Sequence, residues 1–197
     1  FIITDIHYIN IMDSIQQLFD KLSHLKIDYK LFEHEAFYTV EESSRLKSDL
    51  NLKGAHTKNL FLRDKKRKIF LVSCMDNTDV DLKILKNIIP AQGNLSFGSP
   101  ELLNDKLGVK PGSVSPYALI NNHEKDVNFY IDKNILKEKL CNFHPLINTK
   151  TIQLETSDFI KFIQEIHTLH VIDFDSYELI LSLIHISEPT RRTSISY

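Results

Sequence analysis

The chain has 197 residues, of which 42% are hydrophobic and 25% charged, with a formal net charge of -2. These values describe one globular domain with enough apolar material for its own core, and they exclude a disordered or low-complexity chain. They also exclude a protein that coats nucleic acid by bulk positive charge, and no apolar run approaches the roughly 20 residues of a membrane span. The chain opens on Phe1, so the true start is expected to lie upstream, and no signal-peptide pattern is present.

Ile15, Leu18, Phe19, Leu22 and Leu25 recur at helical spacing, so residues 12–25 are expected to form an amphipathic helix. Tyr29 and Leu31 alternate with polar neighbours as in a strand. Thr39 and Glu42 have capping-box spacing and predict a second helix start. Residues 58–62 (KNLFL) and 68–73 (KIFLVS) read as two apolar strands joined by a charged hairpin. Residues 81–89 suit a helix ended by Pro90. Ser99, Pro100 and Glu101 combine a hydroxyl cap, a proline at the first helical position and an acid in the first turn, and Gly108 closes that helix. Residues 117–120 and 127–131 are expected to be short strands around an NHEKD turn, residues 152–154 another strand, and residues 157–169 a closing amphipathic helix. Strands interleave with helices and two connections are hairpin-length. The fold class is therefore α/β of the α+β type: a mixed, barrel-like sheet surrounded by helices.

Cys74 and Cys141 sit in apolar stretches without a CxxC partner, as reduced core thiols of a cytoplasmic protein do. Nine histidines are scattered without repeating ligand spacing, and the pair His167 and His170 reads as ordinary, so no metal and no cofactor is expected. Walker, GxGxxG, GxSxG and HExxH signatures are absent.

Three segments carry more purpose. In GAHTKNLFLRDKK (residues 54–66), Lys58 and Asn59 open an apolar strand, where their polar ends can emerge at a pocket mouth or simply be solvated. In LGVKPGSVSP (residues 107–116), Gly112 and Pro116 bracket a loop of small residues able to present bare backbone to a ligand, or to serve only as a turn. In NFHPLINTKT (residues 142–151), Pro145 holds His144 in extended geometry, for a site or for satisfying loop carbonyls.

In this order, KNLFL, then LSFGSPELLNDKLGVKPGSVSPYALIN, then NFHPLINTKT resemble the bacterial prolyl-tRNA editing family, the YbaK/prolyl-tRNA synthetase associated domain proteins. Within it the chain looks most like the free-standing deacylases of Ala-tRNA(Pro). The resemblance implies an editing domain over residues 11–174 with a pocket for the aminoacylated 3′ end of tRNA(Pro). It assigns catalytic roles to Lys58, Gly112 and His144, and places Asn59, Ser113 and Pro116 beside the substrate. Prolyl-tRNA synthetase is an expected transient partner, and a monomer the expected state. Two other readings are open: the same fold acting on Cys-tRNA(Pro), and a non-catalytic tRNA-binding module.

The RDKKRK run of residues 63–68 sets Arg63, Lys65, Lys66, Arg67 and Lys68 around one acid, a candidate contact for acceptor-stem phosphates. Residues 175–197 are expected to be a tail. From about residue 181 the run LSLIHISEPTR can be back-translated as the transposase adapter of sequencing libraries, so this part is expected to be read-through and to carry no function.

Overall fold

The structure, a computed structural model, describes residues 2–36 and 50–180. The capping box at Thr39 and the read-through expected from residue 181 lie outside the described residues. Helix α1 (Ile2–His24) leads into β1 (Tyr29–Glu33). Strands β2 (Ala55–Arg63) and β3 (Ile69–Met75) form the predicted hairpin, followed by α2 (Leu82–Ile88), the two-residue β4 (Ser96–Phe97) and α3 (Pro100–Leu107). A 3₁₀ helix (Pro116–Asn121), β5 (Val127–Asp132), α4 (Lys133–Lys137), β6 (Leu140–Phe143) and β7 (Lys150–Glu155) come next. Helix α5 (Thr156–Ile166), β8 (Leu169–Asp173) and β9 (Glu178–Ile180) complete the described chain.

The strands make one mixed sheet in the order β1-β7-β6-β2-β3-β5-β8-β9, with β4 against β2. The mixed sheet with surrounding helices is the architecture expected from the sequence; its path runs open from β1 to β9 among the described residues. Burial explains which strands read clearly. β3 is covered on both faces, so its sequence is an unbroken apolar run. Ile69 and Leu71 face a core built with α1, α3, α5 and the 3₁₀ helix, while Phe70, Val72 and Cys74 face a second core under α2. The second core reaches only β2, β3, β5 and β8. On the same face of β6 and β7 the residues are polar: Asn142, Thr151 and Gln153.

The helix termini obey their caps. Asp81 accepts a hydrogen bond from the Lys83 N–H, and the chain turns extended at Ile89, ahead of Pro90. The Ser99 hydroxyl accepts from Leu102 N–H and Gly108 closes α3 at a left-handed φ of 66°. Three expectations are corrected. Residues 117–120 are a 3₁₀ turn, because Ser115 caps it, Pro116 fixes its first φ, and Tyr117 is buried edge-on against Phe143, Phe159 and Phe162 rather than laid in a ladder. The last helix stops at Ile166, so that Leu169 can start β8 beside β5. The first helix begins at Ile2, ten residues before the predicted start. Asn122 is buried and ties a turn, donating to Asp126 Oδ1 (2.8 Å) and accepting from Val127 N–H.

β2 and β6 run parallel for two pairs only, Ala55↔Cys141 and His56↔Asn142. Gly54 makes this approach possible. Its φ is 83°, and a Cβ there would lie 2.1 Å from the Leu140 carbonyl oxygen. Gly54→Ala therefore combines left-handed strain with a backbone clash, and is expected to lower unfolding stability in denaturant by about 3 kcal/mol. Gly93→Ala, at a similar φ of 89° but facing only the flexible Lys65 side chain, is expected to lose clearly less; equal losses would contradict this account of β2 and β6.

Candidate active site

The site grows from the place where β2 and β6 part. Their last contact beyond the ladder is the Thr57 hydroxyl donating to the Asn142 carbonyl at 3.1 Å. Alternation along each strand puts Lys58 on the face of His56, and His144 on the face of Asn142. In parallel strands, residues in register share a face. Lys58 and His144 thus belong to the same face as the polar residues Asn142, Thr151 and Gln153, beyond the cover of α2.

That face carries two cross-strand rows. In the first, Gln153 Nε2 donates to Asn142 Oδ1 (3.1 Å) and to the Lys53 carbonyl (3.0 Å). Asn142 Nδ2 donates to the carbonyls of Lys53 and Ala55, both at 2.9 Å, and His56 Nε2 to that of Leu52 at 3.1 Å. This row is closed: its side chains fasten the entry of β2 to β6 and β7. The second row holds Thr151, buried, with His144 and Lys58, both half-buried.

His144 is held from β7. Its Nδ1 donates to the Lys150 carbonyl at 2.8 Å, which makes Nε2 the ring's acceptor in the neutral form. Burial pushes its pKa down from 6.5; the Lys150 carbonyl pulls the other way and nearby His34 adds to the depression. The following turn is strained. The Leu146 N–H donates to the His144 carbonyl (3.0 Å), and Leu146 takes a φ of 66°, a conformation that costs a non-glycine residue about 1–2 kcal/mol. Its side chain is buried in the main core, which holds the turn in place.

β1 locks the other flank. His34 Nδ1 donates to the Glu35 carbonyl (2.9 Å), so in the neutral ring Nε2 accepts the Thr151 hydroxyl, also at 2.9 Å. Lys150 pairs with Glu33. The His34 and His144 rings lie 6.0 Å apart, centroid to centroid. His34 and Thr151 were not distinguished by the sequence: His34 stands alone in FEHEA, and Thr151 is one of several hydroxyls in its loop.

Lys58 is tethered differently. Its ammonium donates to the Thr78 carbonyl, in the loop after β3, whose Thr78 hydroxyl and Met75 N–H both donate to the buried Asp132. Asn59 points to the opposite face. It accepts from the Ser73 hydroxyl (2.6 Å) and donates to the Val114 carbonyl (2.9 Å), so it pins the GSVSP loop along the open edge of β2. Gly112 in that loop has a φ of 87°, and a Cβ there would lie 3.6 Å from Asn148 Nδ2, which sets the loop against the His144 loop. Ser113 closes a turn by donating its N–H to the Lys110 carbonyl, and Pro116 is buried as the first residue of the 3₁₀ helix. Asn59 thus ties the Gly112 loop to β2 from the face opposite Lys58, while Ser113 and Pro116 shape that loop.

The basic hairpin lies elsewhere on β2. Arg63 is five residues past Lys58, about 17 Å at about 3.3 Å per residue. Asp64 turns inward, its carboxylate taking N–H bonds from Lys66, Lys68 and Gln92. Burial pushes its pKa up, but those donors outweigh burial and hold it below the ordinary range. Arg63, Lys65, Lys66 and Arg67 are exposed, whereas the Lys68 ammonium lies 5.8 Å from the Phe70 ring centroid.

Both cysteines are free and buried, and burial pushes each thiol pKa up to about 12, the opposite of an activated nucleophile. Among the described residues no group of three His, Cys, Asp or Glu side chains is arranged to hold a metal ion, and no helix is long and apolar enough to cross a membrane. An ammonium and an imidazole held in its neutral form are groups suited to stabilising an oxyanion and placing water.

Residues 34–162 match the model of the aminoacyl-tRNA editing domain. The prolyl-tRNA editing protein ProX of Acetoanaerobium sticklandii is 36% identical over 154 residues, covering 78% of this chain and 92% of that protein. The prolyl-tRNA synthetase associated domain-containing protein 1 of Bos taurus is 36% identical over 161 residues, covering 79% and 92%. A solved structure described as a candidate trans-editing enzyme for prolyl tRNA synthetase superposes with a TM-score of 0.62 at 16% identity, over 81% of this chain and 95% of that one, a likeness of fold. The chain belongs to the aminoacyl-tRNA editing domain family and is an aminoacyl-tRNA deacylase.

Proposed function

We propose that the chain edits in trans, hydrolysing alanine wrongly attached to tRNA(Pro). The observation that carries this reading is the common face of Lys58 and His144 at the edge where β2 leaves β6, with the Gly112 loop bonded beside it through Asn59. Relatives named for prolyl-tRNA editing support the tRNA, and with it prolyl-tRNA synthetase as a passing partner.

The reaction needs little from the protein beyond placement, because ester hydrolysis is already favourable. A water oxygen bonds to the acyl carbon, the bond to the ribose oxygen breaks, and that oxygen takes up the proton, releasing free amino acid and tRNA. His144 Nε2 accepts a hydrogen bond from the water or from the neighbouring ribose hydroxyl, which shares in orienting the attack. Lys58 exchanges the Thr78 carbonyl for the developing oxyanion. The Gly112 backbone grips the aminoacyl group where a side chain would obstruct it. Selection by size follows: a pocket that admits alanine rejects proline sterically, whereas attraction alone separates neighbouring apolar side chains by only about 1–3 kcal/mol. The exposed cations of the hairpin, Arg63, Lys65, Lys66 and Arg67, are assigned to acceptor-stem phosphates, a contribution that the salt dependence of tRNA affinity measures.

Two outcomes test the reading. With tRNA(Pro) charged in turn with alanine, cysteine, serine and proline, the alanyl ester is hydrolysed fastest and the prolyl ester is spared; Lys58→Ala lowers kcat/KM at least about 100-fold. Preference for the cysteinyl ester would move the assignment to Cys-tRNA(Pro), and no hydrolysis of any ester would reduce the protein to a binding module. The second outcome concerns pH. Because burial depresses the His144 pKa, the neutral imidazole persists as pH falls below 6.5 and is lost only through the lower folded value. The acid limb of the kcat/KM profile is expected below pH 6.5, and a limb centred at or above 6.5 would contradict this role of His144.

A further inference from the structure

Phe97 is the most exposed of the large hydrophobic side chains among the described residues, at 63%. It is not a loose residue. Its Cα is paired with Leu62 of β2, and Ser96 with Arg63. The next N–H, that of Gly98, donates to the Phe61 carbonyl at 2.9 Å, and a Cβ on Gly98 would meet the Phe61 ring at 2.5 Å, so β4 is pressed onto β2. Immediately afterwards Ser99 caps α3. The backbone that carries this ring is thus fixed on both sides, while the ring itself projects into solvent.

Its direction follows from register. Paired residues of antiparallel strands point to the same face, and Leu62 shares its face with Lys58 through the unbroken β2–β3 ladder. Phe97 therefore stands on the face that carries Lys58 and His144. β4 and β6 lie on the same side of β2, β6 at the start of the strand and β4 at its end. Along that edge of β2, Lys58 lies four residues, or about 13 Å, from Leu62, the partner of Phe97. Arg63 pairs with Ser96 and so points to the other face, while Lys65, in the hairpin, lies over Gly93 in the segment leading into β4.

A rigid, solvent-facing aromatic ring, on the face of Lys58 and one short strand away from it, matches how proteins hold single-stranded nucleic acid by stacking a base on an exposed ring. We propose that Phe97 is a stacking platform for an unpaired base of the tRNA 3′ end upstream of the terminal aminoacylated adenosine. This rests on the reading of the site as the receptor of that end, and it adds a subsite whose ligand is a nucleobase, indifferent to the amino acid carried.

The test uses the full chain and two RNA hairpins of equal stem, one with a four-nucleotide 3′ overhang ending in CCA and one blunt. Fluorescence anisotropy is expected to show Phe97→Ala weakening the overhang hairpin about tenfold, the size of a lost base stack, with the blunt hairpin unchanged and Phe97→Trp restoring affinity. In deacylation of charged tRNA the same Phe97→Ala raises KM about tenfold with kcat held, and leaves hydrolysis of a 3′-alanyl ester of adenosine alone unaltered. Equal affinity of wild type and Phe97→Ala for the overhang, or an equal loss on both hairpins, would overturn the proposal. So would concentration-dependent dimerisation abolished by Phe97→Ala, which would assign the ring to contact between copies. Because the hairpin measurement needs no catalysis, absent deacylation in the wild type would sink the functional reading and leave the binding result to decide this one.

Discussion

The structure turns on a ladder that stops early. β2 and β6 run parallel for two pairs and then separate, with Gly54 allowing the backbones to meet and the Asn142 amide holding the carbonyls of Lys53 and Ala55. A longer ladder would close the edge of β2 from Lys58 onward; a shorter one would not bring β6 to β2 at all. The edge left open cannot stay unsatisfied inside a folded domain, and the chain fills it sparingly. The GSVSP loop enters from one face through Asn59, and β4 covers the far end with two residues.

Uneven cover of the sheet sets the polarity of its faces. The helix α2 packs over β2, β3, β5 and β8, whereas beyond β2 the same face carries the buried polar residues Asn142, Thr151 and Gln153, each satisfied by hydrogen bonds. Asn142 and Gln153 satisfy one another and the chain entering β2. One row further on, Thr151 and His144 are each held, by His34 and by the Lys150 carbonyl. Orientation is thereby fixed before any ligand arrives, which matters for a reaction whose barrier is largely one of placement. The left-handed Leu146, anchored in the core, is a local strain that the surrounding packing sustains.

Much of this was legible in the residues. The β2–β3 hairpin and α3 were readable because burial, capping and turn chemistry agree with one another at those segments: KIFLVS is apolar because it is covered on both faces, and Ser99, Pro100 and Gly108 each satisfy a helix end. Lys58, Gly112 and His144 stood out only in combination, through their resemblance to a family, since each alone is an ordinary strand lysine, turn glycine or loop histidine. The segment PYALI has the composition of a strand and became a 3₁₀ turn, because its side chains fill an aromatic core and no neighbour offers a ladder. β6 was invisible as well: four residues with one buried asparagine have no period to detect, and their role is written in Lys53 and Ala55, far away in the chain. His34 likewise acquires meaning only across the β1–β7 pairing.

The central claim is that Lys58 and His144, on one face of the parted strands, act on the same ester. It is tested most directly by a crystal structure of the protein with a 3′-alanylamide analogue of adenosine, whose amide cannot be hydrolysed. The account predicts the analogue carbonyl within hydrogen-bonding distance of Lys58 Nζ, released from the Thr78 carbonyl, with His144 Nε2 directed at the ribose hydroxyl or an ordered water. An analogue bound away from these two residues, with Lys58 still on Thr78, would contradict it.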